Sequence, residues 1–224
     1  ALDTGLLEED MEAAITPYTF GINVGKVDTI WHVKEVEKIV GAVEKRKGLE
    51  NGQIKLVLFI ESALAVVNAY GICASSDRII AAALGAEDFT VDMGTERTEE
   101  GSEVLMPRAM VAMAARAAEI LPLDIVYTNF RDEEGLRRDT QLGKSLGYKG
   151  KFAIHPAQVD PINELLSPLP DEIEYARKVV QAFEEAEANG RGSTSLDGKM
   201  IDVPIVKRAR SLLAAVEAGI RVDS

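Results

Sequence analysis

The order of hydrophobic segments along the chain is the feature that most limits its possible folds. Short β-rich runs alternate about five times with longer segments that carry apolar residues at helical spacing. This alternation predicts a parallel sheet with helices packed outside it. The strands are predicted at residues 22–27, 54–60, 78–84, 123–128 and 151–154, and the helices at residues 29–46, 63–73, 104–121, 136–146 and 159–166.

Two closures of such a sheet are possible, an open doubly wound sheet and a (β/α)8 barrel. Five strands are too few for a barrel. The chain also opens on Ala1-Leu2-Asp3-Thr4-Gly5, which lacks an initiator Met and reads like a loop. Both observations lead us to expect that earlier strands are absent from this chain.

The C-terminal part has a different character. Residues 171–188 predict a long charged amphipathic helix, residues 190–204 form a Gly/Ser-rich loop, and residues 205–218 predict a final helix. Loops of this length in compact domains are usually lids or binding loops. We therefore predict two domains, a sheet domain at residues 1–168 and a helix–loop–helix lid at residues 169–224.

Composition excludes several classes of protein. A net charge of −12 disfavours nucleic-acid binding, because affinity for phosphate backbones depends on Lys and Arg. The one cysteine, Cys73, cannot form an internal disulfide or a Cys-based zinc site, and it indicates a reducing compartment. No apolar run reaches the ~18 residues of a membrane span, so no membrane partner is predicted. An anionic ligand would need a local basic patch or a metal to offset the acidic field.

Polar residues follow the predicted strands at the edge where parallel α/β proteins bind ligands. Glu61 and Asp88 follow consecutive strands, so that two carboxylates meet at one edge, an arrangement that suits Mg²⁺. Capping of the next helix is an equally good interpretation of the pair. Lys26 ends the first run, and Asn129 and Arg131 follow the fourth strand.

The remaining polar candidates are two histidines and one aspartate. His155 follows the fifth strand, and its residue type fits a functional and a structural role equally. His32 is expected to be a packed or partly exposed helix residue. Two histidines are too few for a His-rich transition-metal site. Asp202 precedes Val203-Pro204 and most simply caps the final helix, although a lid could also deliver it as an acid–base group. Phosphate-loop and Gly-x-Ser-x-Gly motifs are absent from the sequence.

Four segments in this order resemble a known family. The chain is similar to the citrate lyase β-subunit-like family, whose relatives include malyl-CoA and citramalyl-CoA lyases within the HpcH/HpaI aldolase superfamily. The likeness runs from the first residues to about Arg210. The segments that carry it are Ile60-Glu61-Ser62-Ala63, Gly85-Ala86-Glu87-Asp88-Phe89, residues 150–158 (GKFAIHPAQ) and residues 195–202 (SLDGKMID).

The resemblance implies a TIM barrel with a C-terminal helical lid, from which this chain lacks the first three βα units. It also implies a trimer or a dimer of trimers, in which the lid reaches the neighbouring subunit. Glu61 and Asp88 would bind Mg²⁺, Asp202 would be the catalytic lid residue, and Ile154 and His155 would line the pocket for coenzyme A. The family's Pro-Lys-Val is Gly25-Lys26-Val27 here, which retains Lys26 near the substrate.

The activity implied is cleavage of a 3-hydroxyacyl-CoA of the malyl-, citramalyl- or citryl-CoA type to acetyl-CoA and a 2-oxoacid. The amides of Glu87 and Asp88 would bind the substrate carboxylate. Four alternatives stay open: malyl-CoA hydrolysis, malate synthase-type condensation, a citrate lyase β subunit that needs an acyl-carrier partner, and a non-catalytic subunit. The expected location is the cytoplasm, or the mitochondrial matrix if the source is eukaryotic.

Overall fold

The computed structural model describes residues 2–218. These residues divide into two compact units, one up to Val159 and one from Asp160 onward. This division lies nine residues before the domain boundary that the sequence analysis placed between residues 168 and 169. Within the described residues, no helix is both long and apolar enough to cross a membrane.

The first unit contains a sheet of five strands. Each strand is parallel to its neighbours, and the spatial order β1-β2-β3-β4-β5 follows the chain. A doubly wound sheet reverses its strand order, whereas this sheet does not. The strands are β1 (Gly21–Val24), β2 (Lys55–Ile60), β3 (Ile79–Leu84), β4 (Leu121–Asp124) and β5 (Gly150–Lys151).

Seven helices of the first unit are connected to these strands or precede them. Their ends follow standard capping chemistry: Thr29 accepts a hydrogen bond from His32 N at the start of α2, and Gly48, with φ 67°, ends that helix. The helices are α1 (Leu7–Ala14), α2 (Ile30–Lys47), α3 (Ala63–Val67), α4 (Ala69–Cys73), α5 (Ala86–Asp92), α6 (Ser102–Ala117) and α7 (Glu133–Leu146).

Some bounds differ from the sequence predictions. The helix predicted at 63–73 is interrupted at Asn68, whose side-chain amide donates to Asp28 O at 3.2 Å. The helix predicted to end at 121 ends at Ala117, because Glu119 adopts a left-handed φ of 59° and Leu121 already pairs with β3. Helices α1 and α5 were not predicted.

The side chains of β2 alternate between the two faces of the sheet. Leu56, Leu58 and Ile60 are buried in the core with residues of α2, α4 and α6. Phe59 lies on the opposite face, where its ring packs on that of Phe152 with centroids 5.1 Å apart. Two strands lie between β2 and β5, and strand side chains stand roughly perpendicular to a sheet. The ring contact therefore indicates a curved sheet with Phe59 and Phe152 on its concave face.

The second unit pairs two long helices around a small hairpin. Its core includes Val179 and Phe183 of α9, Ile201 of the hairpin and Val206 of α10. The Gly/Ser-rich loop predicted at residues 190–204 contains a short hairpin that was not predicted, in which Asp197 and Gly198, with φ of 50° and 75°, form a tight turn between antiparallel strands. The elements are α8 (Val159–Leu166), α9 (Pro170–Ala188), β6 (Thr194–Leu196), β7 (Lys199–Ile201) and α10 (Val203–Glu217).

Candidate active site

Glu61 follows β2 and continues the alternation that places Phe59 on the concave face. Its carboxylate lies between two glycines at the ends of the flanking strands. A Cβ atom at Gly25 would lie 2.6 Å from Glu61 Oε1, and one at Gly85 would lie 2.5 Å from Glu61 Oε2. The missing side chains of Gly25 and Gly85 therefore create the space that Glu61 occupies.

Lys26 connects Glu61 to Asp88. It adopts a left-handed conformation with φ 57°, which is uncommon for a residue with a side chain. Its backbone N–H donates to Glu61 Oε1 at 2.6 Å, and its Nζ lies 3.9 Å from Asp88 Oδ1. Three of the predicted residues, Lys26, Glu61 and Asp88, thus come together at the carboxyl ends of β1, β2 and β3.

The electrostatic environment of Glu61 disfavours an uncompensated negative charge. Burial, together with the charges of Asp88 and Asp28, raises the pKa of Glu61 above its ordinary value. The Lys26 amide and ammonium act in the opposite direction and lower that pKa. A half-buried carboxylate that faces other carboxylates is well placed to receive a cation, because a cation removes this repulsion.

The capping interpretation of the two carboxylates does not hold for Glu61. Ser62 is the N-cap of α3, where its Oγ accepts from Ala65 N at 3.0 Å and donates to Asp28 Oδ1 at 2.5 Å. Gly85 occupies the N-cap position of α5, and Asp88 lies in the first turn of that helix. The Glu61 side chain is therefore directed at the strand-end cluster rather than at a helix terminus.

Glu87 lies beside Asp88 in the first turn of α5. Its carboxylate is 3.9 Å from Arg97 Nε, and Arg97 also binds Glu103 Oε1 at 2.7 Å. First-turn amides of a helix have no intrahelical acceptor, so the N–H groups of Glu87 and Asp88 suit a substrate carboxylate.

A second group of candidate residues lies at the carboxyl ends of β4 and β5. The His155 ring stacks on Phe130 with centroids 4.8 Å apart, and the Arg131 guanidinium lies 5.6 Å from the Phe130 centroid. Ile154 is exposed. The buried Gln158 side chain holds this segment by accepting from Ile154 N at 2.9 Å and donating to Tyr127 O at 2.8 Å.

Asp202 lies in the second unit, where it caps α10. Its side chain accepts from Ile205 N at 3.3 Å, as the simpler interpretation of the sequence predicted. His32 lies in the first turn of α2, where its Nδ1 accepts from Asp28 N at 3.1 Å, which fits the expected structural role.

Sequence reasoning missed several residues of these groups. Arg131 was placed at the correct strand end but not selected, and Phe130 and Gln158 were not singled out. The space provided by Gly25 and Gly85 carries no sequence signal beyond the glycines themselves. Asp28 follows Lys26 closely, and that proximity was its one available signal.

The donor set at the strand ends determines which cations it suits. Among residues 2–218 there is no cluster of three or more His, Cys, Asp or Glu side chains able to hold a metal. Glu61 and Asp88 offer two carboxylates beside open strand ends. Mg²⁺ is usually held in this manner, by one or two carboxylates with waters and substrate oxygens completing the octahedron. The residues present therefore fit Mg²⁺ bound together with substrate.

A parallel α/β unit with paired carboxylates at the carboxyl ends of adjacent strands belongs to the class of α/β enzymes whose active sites lie at that edge. Within this class, the chain belongs to the HpcH/HpaI aldolase/citrate lyase family, which residues 1–156 match.

Relatives and solved structures agree with this assignment. A citrate lyase subunit beta from Leuconostoc mesenteroides subsp. cremoris is 41% identical over 223 residues, covering 100% of this chain and 74% of that protein. The mitochondrial citramalyl-CoA lyase of Homo sapiens is 28% identical, covering 94% of this chain and 65% of that protein. Named relatives of the chain are thus lyases.

Two crystal structures resemble the fold. A citrate lyase from Burkholderia xenovorans LB400 superposes with a TM-score of 0.79 at 19% identity, over 97% of this chain and 70% of that chain. CitE from Mycobacterium tuberculosis, crystallised with magnesium, acetoacetate and coenzyme A, gives a TM-score of 0.73 at 24% identity, over 93% of this chain and 73% of that chain. These identities support the fold alone.

Proposed function

We propose that the protein is a Mg²⁺-dependent carbon–carbon lyase that cleaves a 3-hydroxyacyl thioester to an acetyl thioester and a 2-oxoacid. The observation that carries the proposal is the position of Glu61, held between Gly25 and Gly85 and beside Asp88 at adjacent strand ends. Family membership and the relatives named as lyases support the reaction type.

The roles of the residues follow from their positions. A bound Mg²⁺ would supply Lewis-acid polarisation of the substrate carboxylate and its neighbouring hydroxyl oxygen. Glu61 and Asp88 would hold it, and the Lys26 amide keeps the Glu61 carboxylate oriented. The amides of Glu87 and Asp88 would bind the substrate carboxylate. Ile154 and His155, with Phe130, would contact the coenzyme A moiety.

Asp202 would transfer the proton at the thioester α-carbon. The role follows from the family resemblance, in which the lid acts in the active site of a neighbouring subunit of a trimer or hexamer. The cap that Asp202 forms on α10 is compatible with this role, because the hydrogen bond from Ile205 N uses only one of the acceptor sites of the carboxylate.

The sheet would form part of a (β/α)8 barrel that three further βα units complete in the full-length enzyme. The unreversed strand order and the contact between Phe59 and Phe152 support this closure. The buried thiol of Cys73 and the family relationship are consistent with the expected reducing location, the cytoplasm.

A second candidate concerns the group that carries the thioester. The 41% identity to a citrate lyase subunit beta exceeds the 28% identity to a citramalyl-CoA lyase. This difference favours a citryl thioester on an acyl-carrier partner over a free coenzyme A ester. Turnover of citryl-CoA without any partner would favour the free coenzyme A ester, and turnover of citryl-carrier protein alone would favour the acyl-carrier partner.

Substitution of Glu61 by Gln tests the metal site directly. Glu61→Gln keeps the size that fits between Gly25 and Gly85 but removes the charge. We expect Mn²⁺ affinity, measured by electron paramagnetic resonance with Mg²⁺ as competitor, to fall by at least ~10-fold, with loss of thioester cleavage. Glu134→Gln, on the exposed surface of α7, is the matched control and should bind Mn²⁺ normally. Unchanged Mn²⁺ affinity in Glu61→Gln would contradict the proposal.

A further inference from the structure

The backbone of Lys26 has an uncommon conformation at the edge of the sheet where the candidate metal site lies. Its φ of 57° falls in the left-handed region, which a residue with a long side chain rarely adopts. Such a conformation costs free energy and persists only where surrounding contacts hold it in place. The contacts that hold Lys26 therefore indicate which residues shape the site.

Asp28, two residues after Lys26, is bound through three different atoms by three side chains. Its N–H donates to Nδ1 of His32, in the first turn of α2, at 3.1 Å. Its carbonyl oxygen accepts from Nδ2 of Asn68, between α3 and α4, at 3.2 Å. Its Oδ1 accepts from Oγ of Ser62, the N-cap of α3, at 2.5 Å. These bonds fix both the backbone and the side chain of Asp28 relative to three helices.

The bonds of Asp28 fix one end of the loop that contains Lys26. The other end is fixed by Val24, the last residue of β1, which pairs with β2. Between the two ends, Val27 is fully buried in the core. The Lys26 backbone is thus held from both sides, and in this position its N–H donates to Glu61 Oε1 at 2.6 Å.

Asp28 also holds the chain beside Glu61. Ser62 follows Glu61 directly, so the hydrogen bond from Ser62 Oγ to Asp28 fixes the peptide next to the Glu61 side chain. Asp92 of α5 holds the same helix start, because its Oδ2 accepts from the first backbone N–H of α3 at 2.8 Å. The hydrogen bond of Asp92 connects α5 to the start of α3, whereas the bonds of Asp28 hold both the start of α3 and the loop that contains Lys26.

The two oxygens of the Glu61 carboxylate have different surroundings. Oε1 lies on the side of Gly25 and accepts the Lys26 N–H. Oε2 lies on the side of Gly85, the residue that leads into the helix of Asp88. Because the amide uses acceptor capacity of Oε1, Oε2 is the better placed oxygen for a cation that Asp88 also binds.

We propose that Asp28 is a positioning residue of the metal site, which holds the Lys26 amide against Glu61 and thereby directs Glu61 Oε2 at the cation. The inference rests on the proposed function, because that function requires the cation. Removal of a group that orients a metal ligand typically lowers the metal affinity by ~10–100-fold. Asp28 acts through its backbone position and through the oxygen that Ser62 binds, so an amide side chain can replace its carboxylate.

Two substitutions of Asp28 separate position from charge. Asp28→Ala removes the acceptor for Ser62 Oγ, whereas Asp28→Asn removes the charge and retains an oxygen that can accept this bond. In the full chain, we expect Mn²⁺ affinity, measured by electron paramagnetic resonance, to fall by ~10-fold or more in Asp28→Ala and to stay close to the wild-type value in Asp28→Asn. Equal losses in the two variants would assign the effect to charge and overturn the proposal.

Asp92→Ala is the matched control, because it also removes a carboxylate that binds the start of α3. We expect its Mn²⁺ affinity to stay close to the wild-type value. A loss as large as that in Asp28→Ala would show that anchoring of α3 alone explains the effect, and would overturn the proposal. A wild-type chain that does not bind Mn²⁺ would overturn the proposed lyase function together with this inference, whereas wild-type binding that Asp28→Ala leaves unchanged would overturn this inference alone.

The exchange rate of the Lys26 amide gives a measurement that needs no metal. Asn68→Ala removes the donor to Asp28 O and leaves Glu61 itself unchanged. In the metal-free full chain, we expect hydrogen exchange at the Lys26 amide, followed by nuclear magnetic resonance, to become ~10-fold faster or more. Leu64→Ala, at an exposed position of α3, is the control and should leave the rate unchanged. Equal rates in Asn68→Ala and the wild type, or an equal increase in Leu64→Ala, would overturn the proposal even if Asp28→Ala fails to fold.

Discussion

Asp202 caps helix α10 and is also the proposed acid–base group. One substitution can separate these two roles. Asn is as good an N-cap as Asp, so Asp202→Asn retains the hydrogen bond to Ile205 N while removing the base. We expect turnover to fall by ~10²–10⁴-fold with unchanged Mn²⁺ affinity and melting temperature. Asp197→Asn, in the hairpin turn, is the control and should turn over normally. Wild-type turnover in Asp202→Asn would exclude Asp202 as the acid–base group.

The carboxyl pKa of Glu103 is strongly lowered in the folded protein. Burial raises this pKa, but hydrogen bonds from Thr98 and Arg97 outweigh burial and lower it to about 2. A lowered folded-state pKa stabilises the fold above the unfolded value of 4.5, and this stabilisation is lost as the pH falls toward 2.

Glu103→Gln should therefore lower the free energy of unfolding by about 1–3 kcal/mol at pH 7, and the difference from wild type should shrink between pH 5 and pH 2. Urea denaturation between pH 2 and pH 7 measures this difference in the free energy of unfolding. Glu96→Gln, in the exposed segment before α6, is the control. A difference that does not change with pH would show that the Glu103 charge does not stabilise the fold.

At the residue scale, the sequence carried enough information to select Glu61 and Asp88. Both follow buried apolar runs, and parallel strands bring such residues to one edge. The residues that shape the space around them could not be predicted from the sequence. Gly25 and Gly85 lie close to one carboxylate only because three strand ends meet in the folded protein. Asp202 was selected through the family resemblance rather than through its spacing.

At the scale of elements, a buried network of four charges ties β4 and β5 to α6 and α7. Lys151 Nζ lies 3.0 Å from Asp124 Oδ2 and 2.5 Å from Asp139 Oδ2. Arg108 binds the same two carboxylates, at 2.6 Å and 2.8 Å. The two positive and two negative charges balance, so loss of one partner leaves an uncompensated buried charge.

Lys151→Met should lower the free energy of unfolding by about 3–5 kcal/mol, because Asp124 and Asp139 lose a buried counter-charge. Chemical denaturation measures the free energy of unfolding. The control is Lys149→Met, which changes an exposed side chain two residues earlier and should alter the free energy of unfolding little. Asp139→Asn introduced together with Lys151→Met should cost less than the two single changes added. Strict additivity would show that the network does not act as a unit.

Elements were predictable where periodicity was strong and capping residues were present, as in α2 and α7. The hairpin of β6 and β7 was missed because each strand has only three residues and no apolar run. The boundary between α6 and β4 was misplaced because Ile120-Leu121 continues an apolar pattern that both element types share. Pairing with β3, a tertiary interaction, determines where that strand begins.

At the scale of the molecule, the number and direction of the strands followed from the alternation of segments, but the closure of the sheet did not. Doubly wound sheets and barrels share the same βα repeat, and strand order distinguishes them. That order is a tertiary property, here β1-β2-β3-β4-β5 without reversal. The contact between Phe59 and Phe152 adds curvature, which no local sequence pattern records.

The fit of Glu61 between Gly25 and Gly85 has a consequence for how the site can evolve. Neither glycine can acquire a side chain while the Glu61 carboxylate occupies the adjoining space, since an added Cβ would lie 2.5–2.6 Å from its oxygens. A shorter acid at position 61 would relieve the contact at Gly25 but not at Gly85, because a Cβ at Gly85 would also lie 2.6 Å from the Cβ of residue 61. Substitutions at the three sites are therefore expected to be epistatic, and the order in which they arise decides which lineages pass through a folded intermediate.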